Sequence, residues 1–499
     1  MKFGGSSVAS PAAIRRVASI VKPHIQPQMQ CGGPVVVVSA MGKTTNELSA
    51  ILQHASAGES YLAWKLIKEL REFHFSVAEE LLSENSLHSV DQYLRETFRD
   101  LHVRMAEVGD GERHNTPEET DWVLSLGEQL SSRIVAAAFA DLGMPVSHFD
   151  SRKLILTDDH FTSATPRYWE TYAKIRWTIP HAAKQSVIVL GGFMGATEKG
   201  QTTTLGRGGS DLTASIVGAA INASEIQIWK DVDGLLTCDP RLRGDGYLVK
   251  GLSYDEAAEL AKAGAKILHP ETVAPAQRLR IPMTLHNTFN PQAPGTRVAA
   301  FPTACSTPVK SIVCKSGITL LEIHSPRPDV SVADCSLALR ELFVGRKKNI
   351  ELLGMSDSVI YLAVDRGADY HELQNPGTAC MEVHLRADQA LITLVGEGLA
   401  SNSEIRCQLL TLLSGVQPLL LPQESCACSL RLVVPAAHLS NSLAILHSSF
   451  FAAPDPRVFV KPSVVTQPKA NPNPAEPEDR ESRKRHLLTL TTKLWALRN

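Results

Sequence analysis

The sequence predicts an α/β chain built on a mostly parallel sheet, followed by two small ferredoxin-like units and a tail that does not fold. Three observations carry this expectation. Over residues 1–300, short apolar β-branched runs alternate with helical periodicity, as strands joined by covering helices require. Residues 301–452 hold two weakly similar blocks, each reading strand, helix, strand, strand, helix, the order of a ferredoxin-like unit. Residues 453–499 turn proline-rich and charged and offer too little apolar surface to repay ordering.

In chain order, "KFGGSSV" comes first, a lysine leading into Gly4-Gly5 and the good helix caps Ser6 and Ser7. "PVVVVSAMGKTTNEL", Pro34 to Leu48, follows as a buried strand and a polar turn. Its Gly42-Lys43-Thr44 suggests a P-loop, but the glycine required five residues earlier is Val37. A β-branched residue there favours extended backbone, so the P-loop reading fails. Residues 58–135 carry apolar positions at three- and four-residue steps, a helical covering layer. "SVIVLGGF" (186–193) and "EIQIWKDVDG" (225–234) are further strands, and "FNPQAPGTRV" (289–298) closes the first domain with turn formers.

Between those strands, "TTTLGRGGSDLTASIVGAAI" (202–221) packs three glycines into four positions ahead of Ser210-Asp211 and an apolar helix. Glycine permits close backbone approach, and the helix start presents free N–H groups, a natural phosphate cradle. An N-cap role accounts for the aspartate but not for Arg207 within the glycine run, which suits capture of a carboxylate or phosphate. Two such loops in one domain can close on a single triphosphate from opposite sides. In the second block "VGEGLAS" has Ser401 where a dinucleotide fingerprint needs glycine, so it reads as a strand-to-helix turn.

Composition narrows the function classes. With 43% hydrophobic and 20% charged residues and a net charge of −2, no global basic field points to nucleic acid. The tail cluster Arg483-Lys484-Arg485 reads as solvated. No run of eighteen apolar residues suggests a membrane span, and no signal-peptide pattern follows Met1. The nine cysteines have no metal-ligand spacing; Cys426-Ala-Cys428 is one residue short of CxxC. A cytoplasmic enzyme with reduced thiols and no protein metal site is expected.

"KFGGSSV", "TTTLGRGGSDLTA", "DVDGLLTCDPR" and "GAKILHP", in this order, resemble the aspartate kinases of the amino-acid kinase family, from residue 2 to about 452. The resemblance is nearest to the monofunctional lysine-sensitive type. It implies a three-layer sandwich around the parallel sheet, and it identifies the two ferredoxin-like units as ACT domains, which bind amino-acid effectors and pair into homodimers. It implies transfer of the γ-phosphoryl group of ATP, with Mg²⁺, to the β-carboxylate of L-aspartate, the first step toward lysine, threonine and methionine.

Carried onto matching positions, the resemblance makes Lys2 and Asp211 catalytic: Lys2 neutralises the transferring phosphoryl group, and Asp211 orients that lysine and the substrate. Ser39, Thr45, Glu128 and Arg207 would bind the substrate, Glu128 through its ammonium and Arg207 through its α-carboxylate; Lys43 is then incidental. Gly4, Gly5, Ser6, Gly208, Gly209, Ser210, Asp231, Arg241 and Lys266 would surround the nucleotide.

The chain departs from that pattern in three places. Met1 directly precedes Lys2, so a short first strand and a weakly anchored Lys2 are expected. Lys230 stands where the family usually has threonine, and Leu236 where it has tyrosine; both lie near the expected nucleotide. "PRPDVSVADCSLALRELF" (326–343) lacks the family's glycine-phenylalanine turn, and "NIELLGMSDS" has leucines where an aspartate would hold effector lysine. Glu351 and Asp357 are the substitutes on offer for that ammonium. Two alternatives stay open: a kinase for glutamate or acetylglutamate, against which Glu128 with Arg207 fits a free amino acid better, and a non-catalytic amino-acid sensor.

Overall fold

The computed structural model describes residues 1–25, 32–265, 268–324, 350–356, 358–365, 382–422 and 427–462. Residues 1–462 form one compact unit.

The chain opens with β1 (Lys2–Phe3), α1 (Pro11–Val21) and β2 (Val35–Val38), then four helices, α2 (Thr44–Ser56), α3 (Ser60–Leu81), α4 (Glu84–Gly109) and α5 (Pro117–Asp141). Next come β3 (Val146–Phe149), α6 (Tyr168–Ala183), β4 (Val187–Gly191) and the hairpin β5 (Met194–Ala196) and β6 (Thr202–Thr204). After α7 (Gly209–Ala220) and β7 (Ile226–Lys230) follow β8 (Leu248–Val249), β9 (Gly251–Leu252), α8 (Tyr254–Lys262), α9 (Pro270–Leu279), β10 (Met283–Asn287) and β11 (Thr296–Val298).

Eight of these strands form one sheet in the order β3-β4-β2-β1-β7-β10-β11-β9. Only the β10–β11 pairing is antiparallel. Side-chain alternation sorts the sheet's two faces. Val36, Val38, Val187 and Val189 join a core with α1 to α5, whereas Val35, Val37, Ile188 and Leu190 join one with α6 to α9. A strand apolar at every position is what a sheet covered on both faces needs, and the result is the expected three-layer sandwich.

Local chemistry sets the helix starts. Ser10 and Thr116 accept from the backbone N–H groups of Ala13 and Glu119, each ahead of a proline at the first helical position. Ser253 and Glu256 form a reciprocal capping box on α8. Among the described residues no helix is long and apolar enough to cross a membrane.

The second part contributes β12 (Ser311–His324), β13 (Ile350–Met355), β14 (Val359–Asp365), β15 (Glu382–Val395), α10 (Ser403–Leu412), β16 (Leu419–Leu420), β17 (Ser429–Pro435), α11 (Leu439–Phe450) and β18 (Phe459–Val460). Six strands make a single antiparallel sheet, β13-β14-β12-β15-β17-β16. The two units are therefore interleaved, not serial as the sequence blocks suggest. Ser311–Ser316 of β12 pairs with Ala390–Val395 of β15 beside β17, while Ile318–His324 pairs with β14. The seam lies at Gly317, whose φ of +72° and neighbouring register shifts mark a bulge.

A second correction concerns the tail. Residues 453–462, which composition places in the unfolded tail, belong to the compact unit. Phe459–Val460 pairs antiparallel with β8, Val458 is fully buried, and Asp455 accepts from the backbone N–H and hydroxyl of Ser306. Residues 463–499 lie outside the described residues.

Candidate active site

The C-terminal ends of β4, β2, β1 and β7 lie side by side, the edge of an open α/β sheet where ligands bind. Lys2 is not weakly anchored. It sits between two parallel neighbours, opposite Val37 and Ile228, and the Val37 N–H donates to the Met1 carbonyl at 2.9 Å. The turn after β1 is held on both sides. The Gly4 N–H donates to the Trp229 carbonyl (3.0 Å), and the Gly42 N–H donates to the Gly5 carbonyl (3.0 Å). A Cβ at Gly5 would lie 2.8 Å from the Ala40 carbonyl oxygen, so this glycine lets two loops close on each other. Ser6 is half-buried beside it.

The loop after β2 is fixed by its backbone. Ser39 N–H donates to the Phe3 carbonyl (3.1 Å), and the Ser39 carbonyl accepts from Ser131 Oγ of α5 (2.7 Å). Thr45 is half-buried in the first turn of α2, whereas Lys43 is exposed.

The glycine run Gly206–Gly209 leads straight into α7. Gly208 has φ +78°, and a Cβ there would sit 2.6 Å from His269 Cβ; glycine is needed for both conformation and space. Gly209, Ser210 and Asp211 follow as the buried first turn of α7. The strand feeding this loop is held by Asp121, which sequence reasoning missed. Its Oδ2 accepts from the backbone N–H groups of Thr162 and Thr204 (2.9 Å each), and its Oδ1 from Thr204 Oγ1 (2.5 Å). Partners 83 positions apart leave no signal in a single sequence.

These elements converge on one charged cluster. Lys2 Nζ lies 2.6 Å from Asp211 Oδ1, with both side chains 7% exposed. Lys230 Nζ lies 3.0 Å from Asp211 Oδ2. Burial alone would push the Asp211 carboxyl up, but the ammonium groups of Lys2 and then Lys230 hold it below the usual carboxylate range. Glu128, midway along α5 and 3% exposed, accepts from Ser210 Oγ at 3.4 Å through Oε1. Its Oε2 is buried without a hydrogen-bond partner. Burial raises this carboxyl to about 7, against lowering by nearby backbone N–H groups and Lys2. An unsatisfied buried acceptor beside a lysine–aspartate pair is a place for a ligand's cationic group.

The remaining expected site residues fall into three groups. Arg207 is exposed on the glycine loop, and its side chain has no hydrogen bond or ion pair with a described residue. Asp231 is exposed beyond β7, and Arg241 is exposed with its guanidinium held on both Asp239 oxygens, at 3.0 and 2.5 Å. Lys266 lies outside the described residues. Leu236 is half-buried, and its carbonyl accepts from Ser311 Oγ at the start of β12. Among the described residues no group of three or more His, Cys, Asp and Glu side chains could hold a metal ion. Mg²⁺ characteristically binds through substrate phosphates and one or two carboxylates, a mode that this site fits.

In the second part, Glu351 is not free for an effector: Lys315 Nζ lies 3.2 Å from both Glu351 and Asp365. Asp357 lies outside the described residues.

Residues 1–287 match the model of the amino acid kinase family. The chain is 33% identical to aspartokinase 1, chloroplastic, of Arabidopsis thaliana, over 91% of this chain and 80% of that protein. The structure of Escherichia coli aspartokinase III in complex with aspartate and ADP (R-state) is similar with a TM-score of 0.76, 27% identity, and coverage of 90% of this chain and 99% of that one. The same enzyme in complex with lysine and aspartate (T-state) gives 0.72 at 27% identity, covering 90% and 98%. With its kinase-type sandwich, its paired glycine turns and these relatives, the chain belongs to the amino acid kinase family, in its aspartokinase branch.

Proposed function

We propose that this protein is an aspartate kinase in which the buried Lys2–Asp211 pair marks the point of phosphoryl transfer. One observation supports the assignment of the site: that pair lies 2.6 Å apart, joining β1, which runs into the Gly4–Gly5 turn, to the start of α7, which follows Gly208. ATP lies along the C-terminal edge of the sheet, its γ-phosphoryl oxygens facing Lys2 and its phosphates against the N–H groups that open α7. L-Aspartate binds with its ammonium on Glu128, its α-carboxylate on Arg207, and Ser39 and Thr45 beside it. Asp231, Arg241 and Lys266 complete the nucleotide side. Mg²⁺ bound with the nucleotide would supply further charge neutralisation.

An oxygen of the aspartate β-carboxylate bonds to Pγ, and the bond from Pγ to the bridging oxygen breaks with its electron pair leaving on ADP. The nucleophile is already ionised, so no general base is needed. The rate comes from in-line positioning and cationic stabilisation. The test is direct: purified protein, Mg-ATP and L-aspartate, with hydroxylamine trapping the acyl phosphate. Aspartyl hydroxamate is expected. None from aspartate would leave the sensor reading, and product from glutamate or acetylglutamate instead would move the substrate assignment.

The six-stranded sheet is proposed to bind an amino-acid effector and to pair two copies of the chain. Leu352 and Met355, 45% and 46% exposed on the edge strand β13, support the pairing. Sedimentation velocity reads the dimer, and activity titrated with each aspartate-family amino acid reads the effector. A flat lysine titration would remove lysine.

A further inference from the structure

Resting on the kinase reading, we infer that Lys230 is a second catalytic lysine, which leaves Asp211 to contact the transferring phosphoryl group. Lys230 ends β7, on the strand next to the one that carries Lys2. Both ammonium groups converge on one carboxylate, Lys2 on Oδ1 and Lys230 on Oδ2. Two lysines sharing one aspartate make a buried cationic cluster, with Lys2 and Asp211 each 7% exposed. Such a cluster suits a second anion, and a γ-phosphoryl group supplies one.

The surrounding backbone suits this role. The Lys230 carbonyl accepts from Thr288 N–H at 2.8 Å, and Thr288 Oγ1 shares a hydrogen bond with Ser7 Oγ from the first glycine turn (2.8 Å). On the other side, Gly4 N–H bonds the carbonyl of Trp229. The strand end is thus tied both to β10 and to the turn that faces the nucleotide, so a change of partner needs only side-chain rotation. The Lys230 side chain is 21% exposed, three times the value for Lys2, and it is the more accessible of the two.

In the step itself, one β-carboxylate oxygen forms its bond to Pγ and the Pγ–O bond to ADP breaks, with the electron pair going to ADP. Lys230 exchanges Asp211 Oδ2 for a phosphoryl oxygen. Charge spread over the equatorial oxygens is what such a donor stabilises.

The test compares wild type with Lys230→Met, Lys230→Ala and Lys230→Arg by steady-state kinetics in both substrates. Loss of one preorganised donor should lower kcat by about 10²- to 10³-fold while KM for aspartate holds. Ethylammonium should restore turnover to Lys230→Ala in proportion to its concentration, and Lys230→Arg should exceed Lys230→Met. A purely structural lysine gives no such rescue. The inference is overturned if Lys230→Met keeps its kcat, if only KM for ATP rises, or if lost turnover is not restored by the amine. These outcomes presuppose active wild type. Absence of hydroxamate from wild type would instead strike the kinase reading.

Discussion

The join between the two sheets makes a prediction whose size follows from burial. Lys310, just before β12, places Nζ 2.8 Å from Glu256 Oε2 of α8, with the side chains 3% and 1% exposed. Glu256 also accepts from the backbone N–H of Ser253 (2.7 Å), which closes the capping box. Lys310→Met keeps the aliphatic length but leaves the carboxylate buried with one neutral donor. Breaking one side of such a pair costs about 3–5 kcal/mol. Glu256→Gln strands the lysine and should cost a similar amount. The double variant buries no charge, and the amide carbonyl introduced by Glu256→Gln can still accept from Ser253, so it should be more stable than either single variant by about 1–3 kcal/mol. Equilibrium urea unfolding of the four proteins at one pH, read by far-ultraviolet circular dichroism and by tryptophan fluorescence, measures the cycle. A Lys310→Met protein within about 1 kcal/mol of wild type would refute the reasoning, as would a double variant no better than the singles.

Two further outcomes concern the site. The Glu128 carboxyl titrates near 4.5 when exposed and at about 7 in the fold, so between these values the folded state binds the extra proton. Its contribution to stability is then full below pH 4.5 and lost as pH rises to about 7; relative to Glu128→Gln, wild type should lose on the order of 2–4 kcal/mol across that window, measured by urea midpoints at several pH values. Because the ionised form receives the substrate ammonium, kcat/KM for aspartate should rise through pH 7 in wild type and lose that limb in Glu128→Gln. Arg207→Ala should raise KM for aspartate more than KM for ATP in initial-rate measurements, and an equal rise in both would contradict its assigned role.

Much of the site is legible in the sequence because its parts are short motifs that need particular residue types. Glycine at 208 is dictated by a left-handed backbone and by His269, and a lysine next to a glycine turn stands out in the chain on its own. Lys230 shows where legibility ends. The sequence marks it only as a substitution, because its contact with Asp211 depends on how β7 and α7 cross. The second part reads as two serial units for a related reason. Its long strands β12 and β15 are broken by polar residues and by Gly317, so single strands shared by two units resemble several shorter ones. Val458-Phe459-Val460 is hidden inside proline-rich surroundings, because three apolar residues identify a strand only when the partner, β8, is known.

The same geometry ties the two parts of the chain mechanically. Glu256 holds Lys310, and one turn further along α8 Glu259 holds Arg431 of β17 at 3.3 Å and accepts from Ser429 Oγ at 3.1 Å. Both carboxylates are buried, so α8 is gripped at two points by the six-stranded sheet. A shift of that sheet must therefore carry α8 with it or separate two buried ion pairs, at several kcal/mol for each separation. The chain leaving α8 reaches His269 seven residues later, where the imidazole packs against Gly208 at the start of α7. A displacement of His269 would open or crowd the Gly208 turn, and with it the N–H groups proposed to hold the phosphates.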